Sequence, residues 1–239
     1  MPGAWLILPT YNEAVNIEPL VRAVLPELAE ASAEHRILIV DDNSPDGTGR
    51  IADGLAQEIE AVEVMHRTEK RGLGVAYLAG FRHALDAGAD LVLEMDSDFS
   101  HSPADVPRLI AAGADADLVL GSRYVPGGGV SDWGLLRRFL SRGGSLYARL
   151  ILRVNVHDLT GGFKCFRREV LEALDLDAVH AEGYGFQIEL TYRAIRRGFR
   201  VKEIPIVFRE RQAGLSKMTA RIAAEAVWKV PALRLRRGV

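Results

Sequence analysis

The sequence predicts one doubly wound α/β unit over residues 1–239, with a mainly parallel sheet and amphipathic helices in its C-terminal half. Three observations carry that expectation. Short apolar runs alternate with helix-period segments through the first half, the pattern of right-handed β-α-β crossovers. Polar clusters follow one apolar run after another, at the strand ends where open parallel sheets bind ligands. After the glycine-rich stretch "YVPGGGVSDWG" the rhythm changes and arginine-rich segments take over.

In chain order, "AWLILP" reads as the first strand, followed by a helix over about 16–31. "RILIVD" is the second strand, with a helix starting near Thr48, and "AVEVMH" is the third. "GVAYLAGFRHALDAG" predicts a helix whose small and apolar residues pack on the sheet. "DLVLEMD" and "DLVLGSR" are the fourth and fifth strands, separated by a helix near 104–112. Beyond the glycine-rich loop, "LLRRFLSRGGSLYARLILRV" predicts a basic amphipathic helix, with Gly143 and Gly144 as its expected break. "GGFKCFRRE" predicts a short strand pair, "FQIELTYRAIRRG" a helix and "KEIPIVFRER" a strand. The tail "KMTARIAAEAVWKVPALRLRRGV" has helical apolar spacing up to a proline.

Composition narrows the class. At 48% hydrophobic and 26% charged residues the chain is too apolar to be disordered. The single cysteine, Cys165, excludes an internal disulfide framework and fits a reducing compartment and a core thiol. No basic n-region precedes the first apolar run, so no signal peptide is expected. No run approaches the roughly 18 apolar residues of a spanning helix. The net charge of −2 divides unevenly: residues 1–131 carry 9 Lys/Arg against 21 Asp/Glu, and residues 132–239 carry 21 against 11. An acidic half suits cations and sugar hydroxyls; a basic half suits phosphates or an anionic membrane surface. Solvated faces of opposite sign that help the halves dock would give the same imbalance.

The sharpest local signal is "LVLEMDSDFSHSP". Asp96 and Asp98 stand two apart where the chain leaves a buried strand, so both can face one point. Carboxylates that close repel unless a cation lies between them. A hard divalent ion, Mg²⁺ or Mn²⁺, would bridge them to a diphosphate. The plainer reading is a helix start, with Ser102 as N-cap and Pro103 in the first turn. The paired acids Asp41 and Asp42 in "RILIVDDNSPDGTG" raise a rival, a phosphate-accepting receiver domain. Such a domain opens with its acidic strand and needs a lysine after its fifth. Here the pair follows the second strand and Arg123 follows the fifth, which excludes that reading.

Together "PTYNE", "VDDNSPDGT", "KRGLGVAYLAGF", "MDSDFSHSP", "GSRY" and "FRERQAGLSK" resemble the family 2 inverting glycosyltransferases of GT-A fold, most closely the polyprenol phosphate mannose synthases. The resemblance spans about 6–217. It implies transfer of mannose from GDP-mannose to a polyprenyl monophosphate, with inversion and release of GDP. It implies guanosine and ribose contacts at Pro9, Tyr11 and Glu13, with Asp41 or Asp42 on the base. Lys70, Gly72 and Gly74 would lie over the ribose and diphosphate, although a tight turn would use those glycines equally. Asp96 and Asp98 match the metal pair. Ser100 stands where some members place a glutamine, which leaves water to fill that ligand position. Arg123, Arg137 and Ser141 would receive the acceptor phosphate, and Arg209, Arg211 and Lys217 would neutralise the donor diphosphate. Asp158, Gln187 and Glu189 match family positions near the sugar, against an equal case for loop caps and helix surface.

Polyprenyl phosphate is an anion near neutral pH, so its oxygen can attack the sugar without a strong base, and alignment with charge stabilisation does the rest. Arginines beside Leu, Phe, Tyr and Ile over 135–154 suit a membrane surface. The expectation is a peripheral protein on the cytoplasmic face, without a spanning helix and without nucleic-acid binding. Buried packing of that helix is the ordinary alternative. His101 is expected to pack rather than bind metal, and Trp228 to sit in core or interface. The competing activities are a UDP-glucose-dependent polyprenyl phosphate glucose synthase, a nucleotidyltransferase and a lectin-like binder. The nucleotidyltransferase lacks its basic loop after the first strand. The lectin would need neither acidic pair nor arginine cluster.

Overall fold

The computed structural model describes residues 3–179, 184–210 and 220–235. Nine strands alternate with eight α-helices among them. The strands are β1 (Ala4–Thr10), β2 (His35–Asp41), β3 (Val62–His66), β4 (Leu91–Glu94), β5 (Leu118–Ser122), β6 (Gly129–Val130), β7 (Lys164–Arg167), β8 (Val201–Pro205) and β9 (Val207–Phe208). The helices are α1 (Ile17–Ala31), α2 (Thr48–Glu58), α3 (Leu73–Asp86), α4 (Val106–Ala112), α5 (Leu135–Leu152), α6 (Arg168–Ala173), α7 (Tyr184–Arg196) and α8 (Ala220–Leu235). Seven strands form one sheet in the order β3-β2-β1-β4-β7-β5-β8, and β6 pairs with β9 outside it. All pairings are parallel except those of β7, which runs antiparallel to β4 and β5.

Both faces of the sheet are covered, so central strands read as unbroken apolar runs. Every residue of β1 is buried. On one face α1 presents Ile17, Leu20, Val21, Val24 and Leu28, a helical stripe that packs with Val106 and Leu109 of α4. On the other, Tyr77 and Phe81 of α3 meet Phe166 of β7 and Phe186 of α7. Gly80 brings α3 against the sheet: a Cβ there would come 2.5 Å from Ile7 Cγ2. Cys165 is buried in β7, and burial pushes its thiol up to about 12, as suits an inert core group.

The second half departs from the expected elements in four places. The basic helix is not broken at Gly143 and Gly144; α5 runs unbroken through both, with Ser145 Oγ 3.2 Å from Thr160 Oγ1 on its inner side. "GGFKCFRRE" is not a strand pair but one antiparallel strand followed directly by α6. "KEIPIVFRER" is two strands: the chain leaves the main sheet at Pro205, which has no amide to donate, and Val207 joins Gly129. Finally, α8 continues through Pro231.

Candidate active site

The carboxyl ends of β1, β2, β4 and β5 lie along one edge of the sheet, and each carries a polar turn. The antiparallel β7 begins there, so Gly161 and Gly162 arrive from the opposite direction; a Cβ on Gly162 would lie 3.8 Å from Asp96 Oδ1. Most of the residues singled out from the sequence therefore gather at this edge, in three groups.

The first group follows β1 and β2. Asp41 is 2% exposed and accepts from Thr10 Oγ1 (3.1 Å), the Ser44 amide (3.1 Å) and Ser44 Oγ (2.6 Å). Asp42 points the other way, to Arg67 Nη1 at 2.6 Å. Burial raises the Asp42 carboxyl above its ordinary value, with Arg67 opposing. Consecutive side chains of extended chain alternate in direction, which separates the two acids, and Asn43 then turns the chain with a left-handed backbone (φ 56°). Asp46 accepts from the Ala14 and Thr48 amides, and Thr48 Oγ1 accepts from the Glu13 amide at 2.9 Å. The two turns are thus pinned together around Pro9, Tyr11 and Glu13. Lys70 Nζ lies 3.8 Å from the centre of the Tyr11 ring, closing the group from the α3 side. Gly72 precedes α3 at φ 98° and ψ 157°, a conformation reserved for glycine, and Gly74 is buried in the first turn.

The second group is the "DSD" turn after β4. Asp98 Oδ1 accepts the Ser100 amide at 3.0 Å, a bend made by Phe99 in left-handed backbone (φ 60°). Ser97 Oγ donates to Pro9 O at 3.0 Å, and the Arg209 amide donates to Ser100 O at 3.0 Å. His101 is buried, stacked on Phe163 with Phe208 against its edge; burial pulls its imidazole down to about 4, so it is neutral and packs as expected. The donor set suits a hard cation: two carboxylates from one turn, plus a buried Ser100 hydroxyl that has no partner among the described residues. No cluster of three or more acidic, histidine or cysteine ligands occurs among the described residues. Mg²⁺ and Mn²⁺ fit such a set, because they take few protein ligands and complete their shell with water and phosphate.

The third group follows β5. Arg123 is 6% exposed and grips Asp158 through Nε and Nη2, each at 2.7 Å, while Nη2 also reaches Thr160 Oγ1 at 2.8 Å. Tyr124, Trp133 and Phe208 surround the guanidinium with ring centres 5.2–5.8 Å away. Arg137 lies 4.2 Å above the Trp133 ring and pairs with Glu210 at 2.7 Å. Ser141 Oγ accepts from Tyr124 Oη at 2.6 Å. Arg123, Arg137 and Ser141 are therefore brought together around Tyr124 and Trp133. Arg209 is tied to the second group through its amide, and Phe208 beside it packs against Arg123 of the third. Arg211 and Lys217 lie outside the described residues.

Several residues of the site carried no sequence signal. Glu203 of β8 accepts both the His157 and Asp158 amides and so holds the loop that holds Arg123. Under Asp96, Lys164 of β7 is fully buried 3.5 Å from Glu94 and donates to Gln187 O (3.0 Å) and Oε1 (2.5 Å). Gln187 and Glu189 are buried rather than on a helix surface, and Glu189 pairs with Arg193. Trp228 is exposed, not in the core. Arg67 and Lys164 were invisible because their partners lie 25 and 70 residues away; only the fold brings them close.

A family model described as Glycosyl transferase family 2 matches residues 5–175. An undecaprenyl-phosphate mannosyltransferase from Micrococcus luteus is 50% identical over 224 residues, covering 94% of this chain and 90% of that protein. A polyprenol monophosphomannose synthase from Mycolicibacterium smegmatis is 51% identical over 227 residues, covering 94% and 84%. Among solved structures, glucosyl-3-phosphoglycerate synthase from Mycobacterium tuberculosis, crystallised with Mn²⁺, UDP-glucose and phosphoglyceric acid, matches with a TM-score of 0.73. Its sequence is 18% identical, over 98% of this chain and 80% of that one. At that identity the likeness speaks for the fold.

Proposed function

The chain belongs to glycosyl transferase family 2, and on that premise we propose that it moves mannose from GDP-mannose to a polyprenyl monophosphate, inverting the anomeric carbon. One observation carries the reading. The "DSD" turn is hydrogen-bonded to the Pro9 carbonyl on one side and to the Arg209 amide on the other. It therefore lies between a nucleoside-sized group of acids and an arginine group suited to a phosphate. The names of the curated relatives support mannosyl transfer to a polyprenyl phosphate.

In this reading Pro9, Tyr11, Glu13 and Asp42 line the nucleoside, and Asp41 braces them through Thr10 and Ser44. Lys70, Gly72 and Gly74 cover the ribose and diphosphate, and Arg209 supplies charge to the diphosphate. Arg123, Arg137 and Ser141 hold the acceptor phosphate. Clamped by Asp158, Arg123 offers an oriented charge rather than a mobile one. A phosphate oxygen bonds to C1 of the sugar as the bond from C1 to the diphosphate breaks, and GDP leaves with that electron pair. No proton has to be removed from the nucleophile, so the site needs alignment more than a base. A divalent ion on Asp96 and Asp98, when bound, neutralises charge on the departing diphosphate.

The acceptor's chain calls for a membrane surface. No helix among the described residues is long and apolar enough to cross a bilayer. Yet α5 exposes Phe139 (76%), Leu140 (63%) and Leu150 (66%) beside its arginines, and α8 exposes Trp228 (80%). That combination suits peripheral attachment, with apolar side chains in the headgroup layer and arginines on anionic lipid. The reduced core thiol agrees with a cytoplasmic face.

The test is incubation of purified protein with labelled GDP-mannose or UDP-glucose, Mg²⁺ or Mn²⁺, and a polyprenyl phosphate. The expected result is a lipid-extractable mannosyl product that needs the acceptor and a divalent ion. Product from UDP-glucose alone would overturn the donor assignment, and product without the lipid would overturn the acceptor.

A further inference from the structure

Between the last turns of α5, α7 and α8 lies a cavity of about 370 Å³. Leu152, Val154, Tyr192 and Ile195 give it apolar walls, Arg153, Arg196 and Arg234 give it charge, and no carboxylate among the described residues lines it. Arg234 Nη1 donates to Ile151 O at 2.7 Å, which fixes that guanidinium beside the end of α5. Arg153 closes α5 with a left-handed backbone (φ 56°, ψ 47°), an uncommon conformation for a residue other than glycine. The Arg153 amide caps α5 on Arg149 O, but among the described residues neither the Arg153 nor the Arg196 guanidinium makes a hydrogen bond or an ion pair. Three cations around one cavity repel each other unless an anion lies among them.

The cavity stands apart from the chemistry. From Ser141 to Leu152 along α5 is roughly 16 Å, and from Gln187 to Arg196 along α7 roughly 13 Å, at the rise of a helix. The exposed Leu150 of α5 and Leu235 of α8 stand within two residues of its lining residues Leu152 and Arg234. A free phosphate would use only the arginines; a phosphate carrying acyl chains would use the arginines and the apolar wall together.

We infer that this cavity is a second anion site, which takes the headgroup of a phospholipid with net negative charge, whose phosphodiester has no choline cation to compete with the arginines, and fixes how the protein sits on the bilayer. The inference rests on the peripheral-membrane reading above. Its test is binding of the whole chain to vesicles of phosphatidylcholine with and without phosphatidylglycerol. Wild type is compared with R153A/R196A and with R22A/R36A, which removes equal charge from the opposite half, and circular dichroism melts check folding. R153A/R196A is expected to bind the phosphatidylglycerol vesicles about 30-fold more weakly, at roughly 1 kcal/mol per arginine. Its binding to neutral vesicles, and all binding by the control, should match wild type. An equal loss in R22A/R36A, or a retained preference for phosphatidylglycerol in R153A/R196A, overturns the site while membrane attachment stands. Wild type that ignores both vesicles sinks the membrane reading itself. Inorganic phosphate should displace the protein no better than chloride at equal ionic strength; full displacement would make this a soluble-anion site and refute the lipid assignment.

Discussion

Arg123 and Asp158 face each other in parallel, Nε to Oδ2 and Nη2 to Oδ1, with both contacts at 2.7 Å and both side chains almost wholly out of water. Burial alone would raise the Asp158 carboxyl, but the Arg123 charge and its hydrogen bonds outweigh it and hold the carboxyl below its ordinary value. The stability from Asp158 is present above the unfolded carboxyl value of about 3.9 and is lost as pH falls through the lower folded value. Asp158→Asn should cost about 3–5 kcal/mol near neutral pH, because it leaves a buried guanidinium without its counter-charge. Urea titrations at several pH values check both points: the variant should be weaker near neutrality and lose less stability on acidification than wild type.

The pair beneath the "DSD" turn makes a second prediction. Glu94 and Lys164 are both fully buried, and burial pushes each toward its neutral form while the opposite charge resists. Lys164→Met strands the buried Glu94 carboxyl in the centre of the sheet, where β4 pairs with β1, at about 3–5 kcal/mol. Removing both partners in E94Q/K164M should recover most of that loss, giving a coupling that a double-mutant cycle in urea reads directly. Additive losses would show that the two residues contribute independently.

These two pairs mark the limit of what the chain discloses by itself. The first five strands and their helices were legible because each is a local pattern: the apolar run of β1, or the stripe from Ile17 to Leu28. The "DSD" turn was legible because its two carboxylates are neighbours. By contrast β7 is only four residues long, carries a buried lysine, and inserts backwards between β4 and β5. Nothing in "KCFR" encodes that placement. Arg123 stood out as a cation after a strand, but its bond to Asp158, across 35 residues, and the bracing of that loop by Glu203 exist only once β5 and β8 pair. Gly143 and Gly144 misled for the opposite reason: their helix penalty is local, whereas the contacts of Ser141 with Tyr124 and Ser145 with Thr160 that hold α5 are not.

Asp41 and Asp42 should separate by experiment as they do in space. Asp41 accepts three hydrogen bonds that fix Thr10 and Ser44, so Asp41→Ala should lower the thermal midpoint and the donor affinity together. Asp42 reaches only toward Arg67 and the α3 approach, so Asp42→Asn should weaken GDP binding about tenfold with a much smaller change in melting. Because burial raises the Asp42 carboxyl, GDP affinity should begin to fall at a higher pH than an ordinary aspartate would give. Calorimetric titration with GDP beside a melting curve distinguishes the two; matched melting losses would remove the division of labour.

Asp96 and Asp98 can be tested without turnover. Electron paramagnetic resonance of Mn²⁺ with GDP present should show bound metal in wild type. Asp98→Ala should lose at least about 1.4 kcal/mol of that affinity, tenfold or more. A chelator should abolish transfer and added Mg²⁺ or Mn²⁺ restore it. Ser100→Ala should change Mn²⁺ affinity if its buried hydroxyl takes up the cation, and leave it unaltered if water fills that position. Activity near wild type in Asp98→Ala would end the metal assignment.

The exposed face of α5 offers the last separation, between membrane contact and fold. Phe139 and Leu150 are mostly in water in this structure, so replacing them removes little core packing. Phe139→Asp and Leu150→Asp should therefore melt within a degree or two of wild type. On a bilayer each would forfeit the burial of a large apolar side chain, about 1.5–3 kcal/mol, or roughly tenfold or more in vesicle partitioning. The loss should appear already on neutral vesicles, where only apolar contact disappears, and be larger on anionic ones, which repel the added carboxylate. A buried role for the same face predicts the reverse pattern: lower melting with partitioning unchanged. Turnover adds a third reading. With a short-chain acceptor in detergent both variants should transfer normally, whereas with long-chain acceptor in vesicles their rate should fall with their partitioning.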